Sequence, residues 1–230
     1  YEAIIISGGK GTRISKITRK KPKCLIEFNK KPFLFYQLEY LKKNNIKNVI
    51  LSIGYKAEQI KNYIKKNIDF INVKVVEDGK HLLGTGGAVN KSISIINDYF
   101  YVIYGDSYIN FKLNRLKINK NFSVMAIYKN ENKYDRSNVD IKDKNFIIKD
   151  KLKNENNFKY IDYGISYVNK NIFKYYKKNT KFDLSLLFNK ISKKRKLKGL
   201  VVKKRFYEIG SYSGIKEFKK YINNEFYKKI

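Results

Sequence analysis

The residues best suited to chemistry lie near the start of the chain. Residues 7–13 read SGGKGTR and directly follow the apolar run AIII, and a Pro22–Lys23 pair comes shortly afterwards. A glycine-rich turn after a buried strand leaves backbone N–H groups free to meet an anion, and Lys10, Arg13 and Lys23 add fixed positive charge. The sequence therefore predicts a phosphate site at the end of the first strand.

This first glycine loop, residues 7–13, differs from the Walker A motif and from the dinucleotide fingerprint. Walker A needs Lys and then Ser or Thr after its last glycine, whereas Thr12 and Arg13 follow Gly11 here. The glycines alone would also suit an ordinary strand-to-helix turn. The added Arg13, Pro22 and Lys23 favour phosphate binding over that plain reading.

Two later features carry similar potential. A second glycine cluster, residues 84–87, lies within HLLGTGGA, and Asp106 follows Gly105 after the apolar run at residues 100–104. Glycines without side chains would let a flat base lie against the backbone, although a helix start would also use them. A carboxylate after a buried strand predicts a metal ligand, with a helix N-cap as the plainer alternative.

The metal chemistry is limited by composition. Cys24 and His81 are the only cysteine and histidine, too few for a zinc site built on such ligands. Any metal would be held by oxygen atoms, which favours Mg²⁺ or Mn²⁺. His81 by itself is more typical of a surface or packing residue than of a substrate contact.

An alternation of strands and helices must position these groups. The patterns predict strands at residues 3–6, 49–53, 73–77 and 100–104, separated by helices at residues 33–44, 57–66 and 88–96. This order predicts an α/β fold with a parallel sheet, whose ligands bind beyond the carboxyl ends of the strands.

The second half changes character. It predicts antiparallel or mixed strands at residues 123–128, 138–141, 146–149 and 160–168, a strand at 200–203, a polar-ended turn at 206–211, and helices at 182–194 and 213–227. Residues 151–158 read as a mobile loop. No repeat, linker or shift in composition divides the chain, so we expect residues 1–230 to form a single catalytic domain.

The bulk composition excludes several classes. A net charge of +31 would suit nucleic acid, but Lys, Asn, Ile and Tyr are abundant throughout, which also fits a biased genome composition. We therefore expect no nucleic-acid partner. No apolar stretch approaches the ~20 residues of a membrane span, and no signal peptide is recognisable. One cysteine permits no internal disulfide, which favours the cytoplasm, and a homo-oligomer is left open.

Together the motifs resemble the signature of the sugar-phosphate nucleotidylyltransferases, G-G-x-G-T-R followed by P-K. The segment LGTGGA at residues 83–88 is similar to their base-side loop, Gly105–Asp106–Ser107 to their metal aspartate, and EIGS at residues 208–211 to their later D-x-G-T segment. The resemblance spans residues 3 to about 218. It implies a Rossmann-like, mixed but mainly parallel sheet flanked by helices.

The resemblance also implies a reaction. A sugar 1-phosphate oxygen attacks the α-phosphorus of an NTP in line, which gives an NDP-sugar, for surface-glycan precursors, and pyrophosphate. Arg13 would hold the leaving pyrophosphate, Lys23 the phosphates near the reacting centre, and Asp106 the Mg²⁺ or Mn²⁺. The second metal carboxylate would be Glu208, where the family usually has Asp, and Asp162 is a competing carboxylate.

Further roles follow from the same resemblance. The residues expected to bind the nucleotide are Ser7, Gly8, Gly9, Gly11, Thr12, Gly84, Thr85, Gly86 and Glu77, the last as a reader of guanine or cytosine. The residues expected to bind the acceptor are Asp162, Gly164 and Lys151. The segment around Lys151 lacks the proline of the family's Glu-Lys-Pro pattern, so Lys149 remains an alternative.

Three other functions stay open at this point. A cytidylyltransferase that activates a small phosphorylated acceptor other than a sugar would carry the same motifs. A non-catalytic protein could keep the nucleotide fold as a sensor, although the joint presence of Arg13, Lys23 and Asp106 disfavours it. A nucleic-acid-binding protein is supported by net charge alone.

Overall fold

The fold is taken from a computed structural model that describes residues 2–117, 122–148 and 158–227. The predicted loop at 151–158 falls almost entirely outside these ranges. The strands are β1 (Ala3–Ile6), β2 (Glu27–Phe28), β3 (Lys31–Pro32), β4 (Asn48–Ile53), β5 (Asn72–Glu77), β6 (Tyr99–Tyr104), β7 (Ser107–Tyr108), β8 (Ser123–Lys129), β9 (Asp140–Ile141), β10 (Ile147–Ile148), β11 (Tyr160–Asn169), β12 (Leu197–Val201) and β13 (Tyr207–Glu208). The α-helices are α1 (Ser15–Thr18), α2 (Phe33–Lys43), α3 (Ala57–Asn67), α4 (Gly84–Asn90), α5 (Leu184–Lys193) and α6 (Tyr212–Tyr227).

A seven-stranded sheet forms the centre, in the order β12-β8-β11-β6-β1-β4-β5. The pairs β6/β1, β1/β4, β4/β5 and β12/β8 are parallel. Strand β11 runs antiparallel to both of its neighbours, β6 and β8. The predicted α/β class with a mixed, mainly parallel sheet is therefore confirmed, and the antiparallel character rests on a single long strand.

Strand β1 shows why the sheet is covered on both faces. Ala3 and Ile5 belong to the core beneath α2 and α3, whereas Ile4 belongs to the core beneath α4 and α5. Successive side chains of a strand point to opposite faces, so a continuous apolar run suits a strand packed on both sides. The four parallel strands β6, β1, β4 and β5 consequently end at one edge, where the predicted chemistry lies.

A third cluster attaches the C-terminal helix to this edge. Phe218 of α6 packs edge-on against Phe28 and Phe33, with ring centroids 4.7 and 5.0 Å apart. Ile14 and Ile209 are buried in the same cluster. This packing fixes the start of α6, and with it residues 208–214, against the segment that follows the first glycine loop.

Two local predictions were wrong. Helix α4 covers residues 84–90 rather than 88–96, so the second glycine cluster forms its first turn. Residues 206–211 are not a simple turn, because they contain β13, which pairs with β7. The antiparallel strands predicted within residues 138–141 and 146–149 are present as β9 and β10, which form a two-stranded ribbon separate from the main sheet.

Across the residues that the structure describes, no helix has both the length and the apolar character needed to cross a membrane.

Candidate active site

The short ribbon β7/β13 brings Asp106 and Glu208 together. Glu208 pairs with Ser107, and the N–H of Ile209 donates to the carbonyl of Asp106 at 2.9 Å. A Cβ atom on Gly210 would lie 2.8 Å from Glu208 Oε2 and 2.9 Å from Asp106 Oδ2. The two carboxylate oxygens are therefore separated by no more than the sum of these distances.

Two cations reach the same point. Arg13 Nη2 would lie 2.8 Å from that Cβ position on Gly210, and Lys23 Nζ lies 2.6 Å from Asp106 Oδ2. The side chains of Lys23 and Asp106 are only 20% and 22% exposed, so their pairing is poorly screened by solvent. The structure thus gathers Arg13, Lys23, Asp106 and Glu208, as the sequence predicted.

Glu208 is also tied to the start of α6. Its carboxylate accepts hydrogen bonds from the N–H of Gly210 and the hydroxyl of Ser211. The Ser211 hydroxyl oxygen in turn accepts from the N–H of Gly214 at 2.9 Å. Glu has one methylene more than the Asp of the family pattern, and the longer Glu208 side chain folds back onto residues 210–214.

The donor set fits a small hard cation. Asp106 and Glu208 offer carboxylate oxygens, and the described residues contain no group of three or more His, Cys, Asp or Glu that could hold a metal by itself. Mg²⁺ is commonly bound by one or two carboxylates together with substrate phosphates. The oxygens of Asp106 and Glu208 are therefore suitable ligands, and metal binding by these two residues stays a prediction.

The first glycine loop is held at the carboxyl edge of the sheet. Ser7 N–H donates to Ser52 O at 2.7 Å, and Tyr55 N–H donates to Gly8 O at 3.0 Å. Gly11 has a φ of 64°, which favours glycine, and its carbonyl accepts from the Thr18 hydroxyl at 3.1 Å. A short 3₁₀ turn, Thr12–Ile14, follows and carries Arg13.

Gly9 and Thr12 are more accessible. Both are exposed, and a Cβ atom on Gly9 would meet nothing within 4 Å. Cys24, next to Lys23, is buried, and burial raises the pKa of its thiol to about 12. Because the thiolate is the reactive form, Cys24 is not a nucleophile here.

The second glycine cluster is packed against residues 180–183. The N–H groups of Gly86 and Gly87 donate to Phe182 O at 3.0 and 3.3 Å, and a Cβ atom on Gly84 would lie 2.6 Å from that same oxygen. A Cβ atom on Gly86 would collide with the Phe182 ring. Close packing against residues 180–183 therefore explains why glycine is needed at these positions, and their contact with a base stays a prediction.

Thr85 is committed to the same junction. Its hydroxyl donates to Asp183 Oδ1 at 3.0 Å and accepts from Leu184 N–H at 2.8 Å. Asp183 is the N-cap of α5. The Thr85 side chain thus joins α4 to α5, and a nucleotide contact by Thr85 would have to come from other atoms of the residue.

Glu77 lies on a different side from the glycine loops. Its carboxylate pairs with Lys61 Nζ of α3 at 2.7 Å. The next residue, Asp78, is 8% exposed and accepts from Leu83 N–H at 3.1 Å. Asp78 Oδ2 would also lie 3.3 Å from a Cβ atom on Gly8. The structure places Asp78 rather than Glu77 at the glycine loops, while base reading by Glu77 stays a prediction.

The protonation of Asp78 is shifted by its surroundings. Burial raises the pKa of this carboxyl, while the Leu83 N–H and the nearby Lys91 ammonium lower it in part. Asp78 Oδ1 is buried and has no hydrogen-bond partner among the described residues. Asp78 belongs to no chemical motif, and its position between β5 and the second glycine cluster is the one sign of it in the sequence.

A cavity of about 280 Å³ adjoins the four converging groups. Asp162 and Gly164, which the sequence predicts to bind the acceptor, line it; their contact with an acceptor stays a prediction. Gly164 has a φ of 93° and donates its N–H to Asp162 Oδ1 at 2.9 Å, within an irregularity of β11. Glycine is needed at that point because a Cβ atom would collide with the Ser107 side chain. Lys151 and Lys149 lie outside the described residues.

The cavity is acidic, in contrast to the chain as a whole. Its lining includes five carboxylates, those of Asp106, Asp135, Asp162, Asp183 and Glu208. Arg13 is the one lysine or arginine among the described residues that line it. We call this space the acidic cavity. Sequence reasoning missed Asp135 and Asp183, which no motif marks.

The loop after β8 closes one side of the acidic cavity. Asp135 Oδ2 lies 3.9 Å from Arg13 Nη1. The loop is held by buried Asn130, whose side-chain amide donates to Asp135 O at 2.6 Å and to Ser137 Oγ at 3.1 Å. Tyr134 of this loop stacks under Arg205, with the guanidinium carbon 3.8 Å from the ring centroid. Asp135 is thereby presented beside Arg13.

Comparison with known proteins agrees with this geometry. The chain is 34% identical over 211 residues to the D-glycero-alpha-D-manno-heptose 1-phosphate guanylyltransferase of Campylobacter jejuni, covering 91% of this chain and 94% of that protein. Among solved structures, HddC from Yersinia pseudotuberculosis complexed with GMP-PN is 25% identical with a TM-score of 0.80, covering 96% of this chain and 99% of the other.

A shorter similarity involves another acceptor. The choline-phosphate cytidylyltransferase of Streptococcus pneumoniae is 42% identical over 65 residues, covering 28% of each chain. The family model described as nucleotidyl transferase matches residues 2–181, which include both glycine segments and Asp106. The chain therefore belongs to the nucleotidyl transferase family, as its glycine, lysine and aspartate signature predicted.

Proposed function

We propose that this protein transfers guanylyl from GTP to a heptose 1-phosphate, with release of pyrophosphate. Its relatives support the broader reaction, transfer of a nucleoside monophosphate from an NTP to a sugar 1-phosphate that yields an NDP-sugar. The observation that carries the proposal is that Arg13, Asp106 and Glu208 meet in the lining of the acidic cavity, with Lys23 paired to Asp106.

The reaction needs positioning and charge neutralisation rather than a protein nucleophile. A phosphate oxygen of the acceptor forms a bond to the α-phosphorus, and the bond from that phosphorus to the bridging oxygen of the β-phosphate breaks. The electron pair of the broken bond leaves with pyrophosphate. The attacking phosphate oxygen is already ionised at neutral pH, so no proton must be taken from it. Arg13 offsets the charge of the leaving group, and Lys23 offsets charge at the α-phosphate.

A divalent cation completes this account. Asp106 and Glu208 would hold Mg²⁺ or Mn²⁺, which would supply Lewis-acid stabilisation to the phosphate oxygens. Before substrates bind, Lys23 serves as the counter-ion of Asp106, at 2.6 Å. The partly buried carboxylate of Asp106 is thereby kept paired.

The choice of guanine rests on the relatives. The Campylobacter protein is a guanylyltransferase, and the Yersinia protein was solved with GMP-PN. Guanine presents N–H donors that a carboxylate can accept. Glu77 and Asp78, at the end of β5, are the candidates from this chain. We propose that one of them meets the base.

A second candidate is cytidylyl transfer to a small cationic phosphate such as phosphocholine. The acidic cavity favours it, because five carboxylates beside Tyr104, Tyr163 and Phe206 would also suit a positively charged head group. The partial similarity to the pneumococcal cytidylyltransferase points in the same direction. The sugar reading is preferred because its relative matches nearly the whole chain.

We further propose that residues 1–230 act as one catalytic unit that works in the cytoplasm, where NTPs are available. The product would serve glycan assembly as an activated sugar. Self-association is left to a direct measurement of mass in solution.

The experiment is a matrix of four NTPs against phosphorylated acceptors, with pyrophosphate release and product mass as readouts. The acceptors are heptose, mannose and glucose 1-phosphates and phosphocholine, each assayed with and without Mg²⁺. We expect the highest kcat/KM for GTP with heptose 1-phosphate. Preference for CTP with phosphocholine would replace the proposal with the second candidate, and the absence of any Mg²⁺-dependent product would refute both.

A further inference from the structure

Asp183 stands where the second glycine cluster meets the acidic cavity. It lines the cavity, and it comes directly after residues 180–182, on which the cluster is packed. Its Oδ1 atom accepts from the Thr85 hydroxyl at 3.0 Å and from Ser185 N–H at 2.9 Å. One side chain therefore contacts α4, begins α5 and borders the acceptor space.

Helix capping alone does not call for a charge at this position. Asn and Asp are about equally good N-caps, because each offers one oxygen to the backbone N–H groups of the first turn. Both hydrogen bonds in which Asp183 Oδ1 accepts could be kept by an asparagine. The N-cap of α5 therefore does not require the negative charge of Asp183.

The negative charge is also unfavourable by itself. Asp106, Asp162 and Asp183 line the acidic cavity together with Tyr104. Like charges within one cavity repel each other, and Arg13 is the one cation among the described lining residues. Several carboxylates in one cavity suit a ligand that brings hydrogen-bond donors.

A sugar is such a ligand, because each free hydroxyl donates one hydrogen bond. Hydroxyl-to-carboxylate bonds are shorter and stronger than neutral ones. We propose that Asp183 determines acceptor specificity by accepting a hydrogen bond from a hydroxyl of the sugar 1-phosphate, and that Thr85 is the positioning residue that orients it. Thr85 of the second glycine cluster, which is assigned to the nucleotide, thereby orients Asp183, which recognises the acceptor. This inference rests on the proposed function.

The variant Asp183→Asn separates the two roles of the carboxylate. The amide oxygen keeps the cap and the Thr85 contact, whereas an NH₂ group replaces the second oxygen and the charge is lost. We expect the acceptor KM to rise about 10- to 100-fold, as is typical for losing a charged hydrogen bond. The KM for the NTP should change less than about 2-fold, and Tm should be unchanged because the cap is retained.

Matched variants exclude simpler causes. Asp98→Asn removes a surface carboxylate that pairs with Lys170, outside the site, and should leave all parameters unchanged. Thr85→Val removes the hydroxyl at similar volume and should raise the acceptor KM by about 5- to 10-fold, whereas Thr85→Ser should restore it. If Thr85→Ser behaves as Thr85→Val does, the hydroxyl is not the positioning group.

Deoxy acceptors provide a test that a merely structural role would not pass. The parent enzyme is assayed with sugar 1-phosphates that each lack one hydroxyl, and the same series is repeated with Asp183→Asn. The penalty of Asp183→Asn should vanish for the one analogue that lacks the contacted hydroxyl. An equal penalty across the whole series would overturn the proposal.

Failure of this inference differs from failure of the proposed function. If the parent enzyme forms an NDP-sugar and Asp183→Asn keeps the parental acceptor KM, Asp183 is only a helix cap. If the parent enzyme forms no NDP-sugar with any pair of substrates, the proposed function itself fails. A normal Tm in Asp183→Asn shows that a kinetic loss does not come from unfolding.

Discussion

The proposed nucleotide side and the proposed acceptor side of this site are built in different ways. The nucleotide side consists of short continuous segments, residues 7–13 and 84–87, each following a parallel strand at one edge of the sheet. The acceptor side draws its carboxylates from Asp135, Asp162 and Asp183, which lie on a loop, on the antiparallel β11 and before α5. The phosphate chemistry is therefore local in sequence, whereas acceptor recognition is assembled from distant positions.

The two sides also differ in charge. Arg13 and Lys23 stand beside the nucleotide segments, whereas the acceptor side is lined by carboxylates. Asp106 and Glu208 lie at the border, joined by the ribbon β7/β13. This polarity fits a reaction in which a highly charged triphosphate meets a sugar 1-phosphate whose sugar ring is neutral and rich in hydroxyl groups, and variants on each side should affect different substrates.

The largest effect is expected at the border. Asp106→Asn keeps the shape of the side chain but removes the charge that would hold the metal, so both substrates lose their meeting point. We expect kcat to fall by about 10³-fold or more. The measurement is pyrophosphate release, with circular dichroism to confirm folding. Asp98→Asn serves as the control, and near-parental turnover by Asp106→Asn would remove Asp106 from the metal role.

The next largest effect is expected on the nucleotide side. Arg13→Met removes the charge assigned to the leaving pyrophosphate, so kcat/KM for the NTP should fall by about 10²- to 10³-fold. The control Arg19→Met removes an exposed arginine of the same segment. A variant whose kcat/KM for the NTP equals that of the control would break the comparison, because Arg13 would then belong to neither side.

A smaller effect is expected where the two sides touch. In Gly210→Ala, the added Cβ atom would lie 2.8 to 2.9 Å from Arg13, Glu208 and Asp106. These charged groups would have to move apart, and we expect kcat to fall by about 10-fold while both KM values change less. Steady-state kinetics with each substrate varied in turn would check this. An unchanged kcat would mean that the catalytic arrangement lies elsewhere.

The smallest effect is expected on stability, at Asp78. Burial raises the folded-state pKa of Asp78, so the folded chain holds this proton more tightly than the unfolded chain does. The contribution of the group is favourable at acidic pH and is lost as pH rises through the raised pKa. The Tm of Asp78→Asn minus the Tm of the parent should therefore be more positive at pH 7 than at pH 4.

Thermal unfolding at both pH values measures that difference. Glu77→Gln is the matched control, since its exposed carboxylate pairs with Lys61 on α3. A Tm difference between Asp78→Asn and the parent that is larger at pH 4 than at pH 7 would show that the sign is wrong. The expected result would show that the nucleotide side, like the acceptor side, contains a carboxylate whose charge lowers the stability of the fold.

Much of the nucleotide side could be predicted from the sequence. The buried runs before Ser7 and Asp106 identify parallel strands, and parallel strands end at a common edge, so Arg13 and Asp106 had to meet there. The position of Lys23 followed from the signature it completes. The family assignment and the mixed parallel sheet were confirmed for the same reason.

The rest depended on contacts that sequence spacing does not encode. Glu77 and Asp78 are adjacent, and the alternation along β5 turns Glu77 toward α3. The pairing of β13 with β7, which presents Glu208, joins segments far apart in the chain. Asp183 looks like an ordinary helix cap until the packing of residues 180–183 on α4 is seen.

The central claim is that the protein transfers a guanylyl group from GTP to a sugar 1-phosphate at the site where Arg13, Lys23, Asp106 and Glu208 converge. The most direct measurement incubates the full chain with GTP, heptose 1-phosphate and Mg²⁺ and follows the products by mass spectrometry. The account predicts equal amounts of GDP-heptose and pyrophosphate, formed by the parent and lost in Asp106→Asn. Formation of GDP-heptose at the same rate by Asp106→Asn, or its absence with the parent, would contradict the account.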